Sequence, residues 1–200
     1  MSYTEDLHGN APDKSKVALV LIDVIGDFEF EDGEKLFENA LPVAPKIAEL
    51  KRKAKQANVP VIYVNDNYGK WRSDFKKLLA HSLDKNVRGS KIAGHLAPDD
   101  DDYFVLKPKQ SGFYSTTLEI LLEHLESETL VLTGFATDIC VLFTANDAYL
   151  RDYKLVIPRD CVAANDAETS DLTVRYVERV LKADTRPSAE IDFSEIAKAD

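Results

Sequence analysis

The chain has 200 residues, 44% hydrophobic and 30% charged, enough apolar material for one buried core and a composition usual for a globular domain. Its 25 basic and 35 acidic residues leave a net charge of −10, which opposes association with nucleic acid or anionic membrane. Cys140 and Cys161 are the 2 cysteines, too few for a disulfide framework and not in a C-x-x-C pair.

The first segment, "MSYTEDLHGNAPDKSK", is polar and lacks the basic start and apolar run of a secretory leader. A polar arm over 1–15, a single domain over 1–200 and a cytoplasmic location are the expectations. "KVALVLIDV" follows as a continuous apolar strand ending at Asp23. "PVAPKIAELKRKAKQAN" has helical spacing, with Ile47, Leu50, Ala54 and Ala57 on one face and prolines at its start, where they are tolerated. "VPVIYVN" is a second strand. "SDFKKLLAHSL" is a short helix with Ser73 as its expected N-cap, and "DYFVLK" a third strand ending at Lys107. "STTLEILLEHLES" is a helix, "TLVLTG" a fourth strand, "CVLFTANDAYLRD" a helix and "YKLVIP" a fifth strand. "ETSDLTVRYVERVLKAD" reads as a helix with Leu172, Tyr176, Val180 and Leu181 inward, and "AEIDF" as a further edge strand.

Strands alternating with helices, and strands apolar on both faces, specify an α/β fold: a doubly wound, mainly parallel sheet with helices on both faces, as in three-layer Rossmann-like architectures. Right-handed crossovers bring the C-terminal ends of all strands to one edge, where such sheets bind ligands. Asp23, Lys107 and Cys140 fall at that edge. An acid, a base and a thiol there form a candidate catalytic constellation, although each has an ordinary alternative: a strand-end cap, a solvated charge, a small buried hydrophobe. With Thr137 and Asp138 as cap candidates, the helix dipole and the Lys107 ammonium are expected to favour a Cys140 thiolate. Asp23 is positioned to carry the proton, and the backbone N–H groups of Ala136 and Cys140 to hold an oxyanion.

"VALVLIDVIGDF", "FVLKPKQSGFYSTTLEILL" and "TLVLTGFATDICVLFTANDAYLRDYKLVIPRDCV" resemble the isochorismatase-like cysteine hydrolases. That superfamily includes nicotinamidases, carbamoylsarcosine-type amidohydrolases and ureidoacrylate amidohydrolases. The resemblance runs from about Val17 to Val180. It implies a Cys140–Asp23–Lys107 triad, the same parallel-sheet fold, a homo-oligomer and, with a geometric argument for aiming the oxyanion donors, a cis peptide between Phe135 and Ala136. Where family members often carry Gln-Asn, this chain has Ile25 and Gly26. Where nicotinamidases place an Asp-x-His…His metal set, "NDNYGKWRSDF" has no histidine. No metal and no cofactor are therefore expected.

Phe28, Trp71 and Phe113 lie in loops after strand ends and are candidates to line a substrate pocket. Arg72 is a candidate partner for a substrate carboxylate, and Asp66 and Asn67 for a polar group or a turn. Cys161 is expected to be structural. The run Asp99–Asp102 is not expected to converge on an ion. The leading function is a metal-independent cysteine hydrolase that cleaves an amide or related C–N bond of a small molecule through a thioester. The alternatives are an isochorismatase-type vinyl-ether hydrolase, against which Cys140 argues, and a noncatalytic or redox-sensing protein on the same fold.

Overall fold

A computed structural model describes residues 14–68 and 74–198. Its sheet has the order β3-β2-β1-β4-β5, with β6 also paired to β4. The strands are β1 (Val17–Ile22), β2 (Val61–Asp66), β3 (Tyr103–Lys107), β4 (Thr129–Phe135), β5 (Lys154–Val156) and β6 (Val162–Ala163). Every pairing is parallel. The chain winds outward from β1 in one direction through β2 to β3. It then returns to β4 on the other side of β1. The strand order thus reverses between β1 and β4, where a doubly wound sheet opens a crevice at its C-terminal edge.

Alternation along the strands builds two cores. Val17, Leu19 and Leu21 of β1 face one layer, with Tyr63 and Val131 from the neighbouring strands. Helices α1 (Gly33–Ala40), α2 (Ala44–Gln56), α3 (Phe75–Ser82) and α4 (Ser90–His95) cover it. Ala18, Val20 and Ile22 face the opposite layer. There α5 (Leu118–His124), α6 (Leu142–Tyr149) and α7 (Ala167–Val180) contribute residues such as Leu122, Ala145 and Val177. Each β1 side chain is fully buried, so its near-continuous apolar sequence follows from having a layer on either face.

Several local expectations are corrected. Ser73 lies outside the described residues, as do Trp71 and Arg72. The α3 N-cap is Asp74, whose carboxylate accepts from the Lys77 N–H at 2.8 Å. Leu172, Tyr176 and Val180 point outward, while Ser170, Thr173, Val174 and Val177 face in. The largest apolar residues of α7 therefore do not mark its packed stripe. The Thr137 hydroxyl meets the Ser170 hydroxyl at 2.8 Å, and the small and hydroxyl residues of α7 allow that close approach. "AEIDF" is not a strand. It forms a 3₁₀ turn (Ser188–Glu190) and the start of α8 (Phe193–Ile196), with Asp192 capping the Ser194 N–H. Ala57 ends α2 on the surface. Helices α1 and α4 and strand β6 are additions to the order read from sequence.

Gly134 shows how tightly β1 and β4 approach. It has φ +121°, and a Cβ there would lie 2.0 Å from the Ile22 carbonyl oxygen. Its N–H donates to Cys161 O at 2.9 Å, giving the fully buried Cys161 its structural place. Gly134→Ala should therefore lose roughly 2–4 kcal/mol of stability, from left-handed strain plus a backbone clash. Urea unfolding followed by circular dichroism checks this, and a midpoint unchanged from the parent would contradict it.

Candidate active site

The three sequence-identified residues do converge. β1 ends at Ile22, and Asp23 adopts φ 52°, a left-handed conformation that Asp tolerates better than most residues. Its N–H donates to Val64 O at 2.9 Å. One carboxylate oxygen accepts the Asp66 N–H at 2.7 Å, and the other lies 2.9 Å from Lys107 Nζ. Lys107 is held by the parallel register Asp66↔Lys107, and its side chain is fully buried. Its ammonium also reaches Cys140 Sγ at 3.4 Å, Lys109 O at 3.2 Å and Asp66 Oδ2 at 3.5 Å. Asp23 and Cys140 thus share the Lys107 ammonium as a common neighbour.

Cys140 sits in a single π-helical turn, Thr137–Val141, that leads from β4 into α6. The Val141 N–H reaches back to Ala136 O at 3.2 Å. Insertion of such a turn re-aims a side chain relative to a regular helix and is frequent at functional sites. Neither expected cap forms: the turn has no side-chain cap, and Thr137 is engaged by Ser170 instead. The peptide between Phe135 and Ala136 is trans, with no cis bond among the described residues. The chain leaves the strand through Gly134 at φ +121° and Ala136 at φ −29°, ψ 109°. The expected cis bond is not formed, and the chain turns out of the strand at these two residues with a trans peptide between Phe135 and Ala136.

The electrostatics also revise an expectation. Burial pushes the Cys140 thiol well above its ordinary range, and the negative charge of Asp23 adds to this, with Lys107 acting in the opposite sense. Burial raises the Asp23 carboxyl as well, while Lys107, the thiol and the Asp66 N–H restrain it. Burial works against the charge of Lys107, but Asp23 and Cys140 outweigh it and the ammonium is held above the usual lysine range. Burial therefore disfavours charge on both the thiol and the carboxyl, and the Lys107 ammonium, which also faces Asp66, is the group that opposes it.

A cavity of about 390 Å³ opens over the sulfur. Asp23, Ala136 and Cys140 line it, as does Phe28 among the expected pocket residues. Phe28 also packs against Phe30, Phe37 and Phe135. Phe113 does not belong there: it is buried in the opposite core against Tyr153, with Arg151 over its ring. The Gly112 N–H bonds the Thr144 hydroxyl at 3.0 Å, and this contact folds the loop after β3 onto α6. Trp71 lies outside the described residues. Tyr68, Glu31, Ile139 and Asn165 line the cavity without having been singled out as pocket residues. The parallel neighbour relation between the ends of β2 and β3 could have drawn Asp66 into the cluster. Glu31 and Asn165 depend on tertiary folding that no local pattern announces.

A second acidic group gathers outside this site, in the run Asp99–Asp102. Ligand oxygens of Asp99, Asp101 and Asp102 lie within 4.8 Å of one another. They meet lysines: Asp99 and Asp102 hold Lys51 at 2.9 and 2.6 Å, and Asp101 holds Lys55 at 2.7 Å. This clamp ties α2 to the start of β3 and is a structural ion network.

The Cys140 environment predicts a diagnostic pair of shifts. Asp23→Asn removes the anion that disfavours a thiolate, so iodoacetamide alkylation of Cys140 should rise at lower pH. Lys107→Ala removes the stabilising cation, so the profile should move to higher pH. Cys161, buried and pushed up to about 12, should stay unlabelled in all three proteins. Alkylation rates across pH, with peptide mass mapping, check this. An upward shift for Asp23→Asn would contradict the electrostatic account.

Residues 17–184 match the family model of the isochorismatase domain. The isochorismatase family protein YaaI of Bacillus subtilis (strain 168) is 42% identical over 178 residues, 89% of this chain and 97% of that protein. Among solved structures, N-carbamoylsarcosine amidase of Thermoplasma acidophilum is 30% identical with a TM-score of 0.67, covering 88% of this chain and 99% of that one. A pyrazinamidase/nicotinamidase of Streptococcus mutans UA159 is 26% identical with a TM-score of 0.65, covering 84% and 99%.

Proposed function

Because the chain belongs to the isochorismatase family of hydrolases, we propose that it is a cysteine-dependent amidase acting on a small molecule through a thioester intermediate. The observation that carries this reading is one buried ammonium within reach of both Asp23, at 2.9 Å, and Cys140 Sγ, at 3.4 Å. The names of an amidase and a nicotinamidase among its structural relatives support it.

The steps follow from where the proton sits. As Sγ attacks the amide carbonyl carbon, its proton passes to Asp23 and the carbonyl oxygen becomes an oxyanion. The N–H groups of Ala136 and Cys140 are assigned to that oxyanion. Collapse breaks the C–N bond, and Asp23 delivers its proton to the leaving nitrogen. A water then attacks the thioester while Asp23 accepts a proton. The C–S bond breaks, the acid departs and the thiol is restored. Lys107 stays charged throughout, neutralising whichever of Asp23 and Cys140 is anionic. Asp23 thus exchanges a proton with a group that lines the same cavity and shares the same lysine.

A protein metal is not required by this scheme. The carboxylate of Asp66, at the end of β2, faces Lys107 and accepts the Tyr68 N–H. Its charge is engaged within the protein.

Cys140→Ala should abolish turnover of a small-amide panel while leaving the fold intact. Asp23→Asn should lower kcat by roughly 100- to 10,000-fold, the usual worth of general acid–base catalysis. Intact-mass measurement of parent enzyme quenched during turnover should show an acyl adduct that maps to Cys140. Full activity of Asp23→Asn would sink the proton route. Hydrolysis of vinyl ethers but of no amide would favour the isochorismatase-type alternative. Prolonged treatment with EDTA should leave amide hydrolysis unchanged, and loss restored by added zinc or manganese would overturn metal independence.

A further inference from the structure

The walls of the Cys140 cavity change character from floor to mouth. Asp23 and Cys140 form the reactive end. Rings of Phe28 and Phe135 follow, 6.1 Å between centroids. Phe30 stacks on Phe28 at 6.4 Å and is 46% exposed, which places it at the rim. Glu31 lies beside it, exposed and also lining the cavity.

Charge follows the same direction. Among the described residues lining the cavity, the charged side chains are Asp23, Glu31 and Asp66, all acidic. Asp23 and Asp66 both face the Lys107 ammonium. Glu31 makes no ion pair or hydrogen bond with another of the described residues, so among them its charge is directed at solvent and at whatever enters. The faces of aromatic rings are electronegative and attract cations, more strongly where water is displaced. The net charge of −10 adds a long-range field that draws cations and repels anions. At about 390 Å³ the cavity suits a compact ligand with one ring or a short chain.

We infer that the site selects an apolar or aromatic small molecule bearing a cationic nitrogen at the end remote from its scissile carbonyl, with Glu31 as the residue that recognises the charge. The inference rests on reading this cavity as the substrate site. It goes beyond that reading by naming the substrate class and the specificity-determining side chain. Glu31 touches no reacting atom. Its effect belongs to binding, and it should leave the chemistry of a neutral substrate alone.

The test uses the full chain and three size-matched ligands without an amide: benzylammonium, benzyl alcohol and benzoate. Calorimetric titration should show benzylammonium binding roughly fivefold or more tighter than benzyl alcohol, with benzoate weakest. Added salt should narrow the gap, since the Glu31 charge is exposed. Glu31→Gln should remove the advantage of the ammonium and leave benzyl alcohol unchanged; Glu31→Lys should favour benzoate. Equal binding of the three, an ammonium advantage that survives Glu31→Gln, or no binding by any of them would overturn the proposal. Hydrolysis of 4-(aminomethyl)benzamide and benzamide is measured in parallel. Ammonium-selective binding without turnover of any amide counts against the amidase reading alone. Turnover of both amides with equal KM counts against the role of Glu31 alone.

Discussion

A fully buried ammonium is the constraint around which this protein is arranged. A charge removed from water is tolerated only when opposite charge and hydrogen-bond acceptors surround it. Lys107 has Asp23, Asp66, the Lys109 carbonyl and the Cys140 sulfur as its neighbours. Those groups come from the ends of β1, β2 and β3 and from the turn after β4. Each strand must therefore finish at the right height for the ion to be solvated by protein. Deleting any one acid leaves the charge less compensated, so the requirements of stability and of reactivity fall on the same few atoms.

Under the proposed mechanism, the same arrangement lets a thiol that burial raises in pKa act as the nucleophile. An exposed low-pKa cysteine reacts with any electrophile it meets. In that scheme sulfur keeps its proton until the neighbouring carboxylate takes it, and the lysine lies within reach of both groups. On that proposal, protection of the resting sulfur and readiness for attack have the same origin.

Much of this was readable from the chain because parallel topology is a strong rule. Once β1, β3 and β4 are assigned, Asp23, Lys107 and Cys140 must share an edge, whatever the loops do. What escaped depended on long-range contact. Phe113 follows the strand that ends at Lys107, yet the Gly112–Thr144 hydrogen bond carries it to the other face of the sheet. In α7 the most apolar stripe is not the packed one, because the Thr137–Ser170 hydroxyl contact brings that helix close over the turn that carries Cys140. The alternating residues of "AEIDF" bury Ile191 and Phe193 as a two-residue spacing suggests. Asp192 nevertheless starts a helical turn between them. The direction of the Cys140 shift escaped as well: charge order can be guessed from sequence neighbours, but desolvation is a property of the assembled interior.

The parallel match of Asp66 with Lys107 has a consequence for how the molecule comes to be correct. Within β3, Val105 faces one core while Leu106 packs against the other, so side-chain direction reverses at each step along the strand. Were β3 to anneal one place out of register, Leu106 or Pro108 would take the position of the ammonium. Asp23 and Asp66 would then confront each other with no cation between them. The native register is thus the one that gives both carboxylates their cation, so charge compensation and strand alignment are tied to a single pairing.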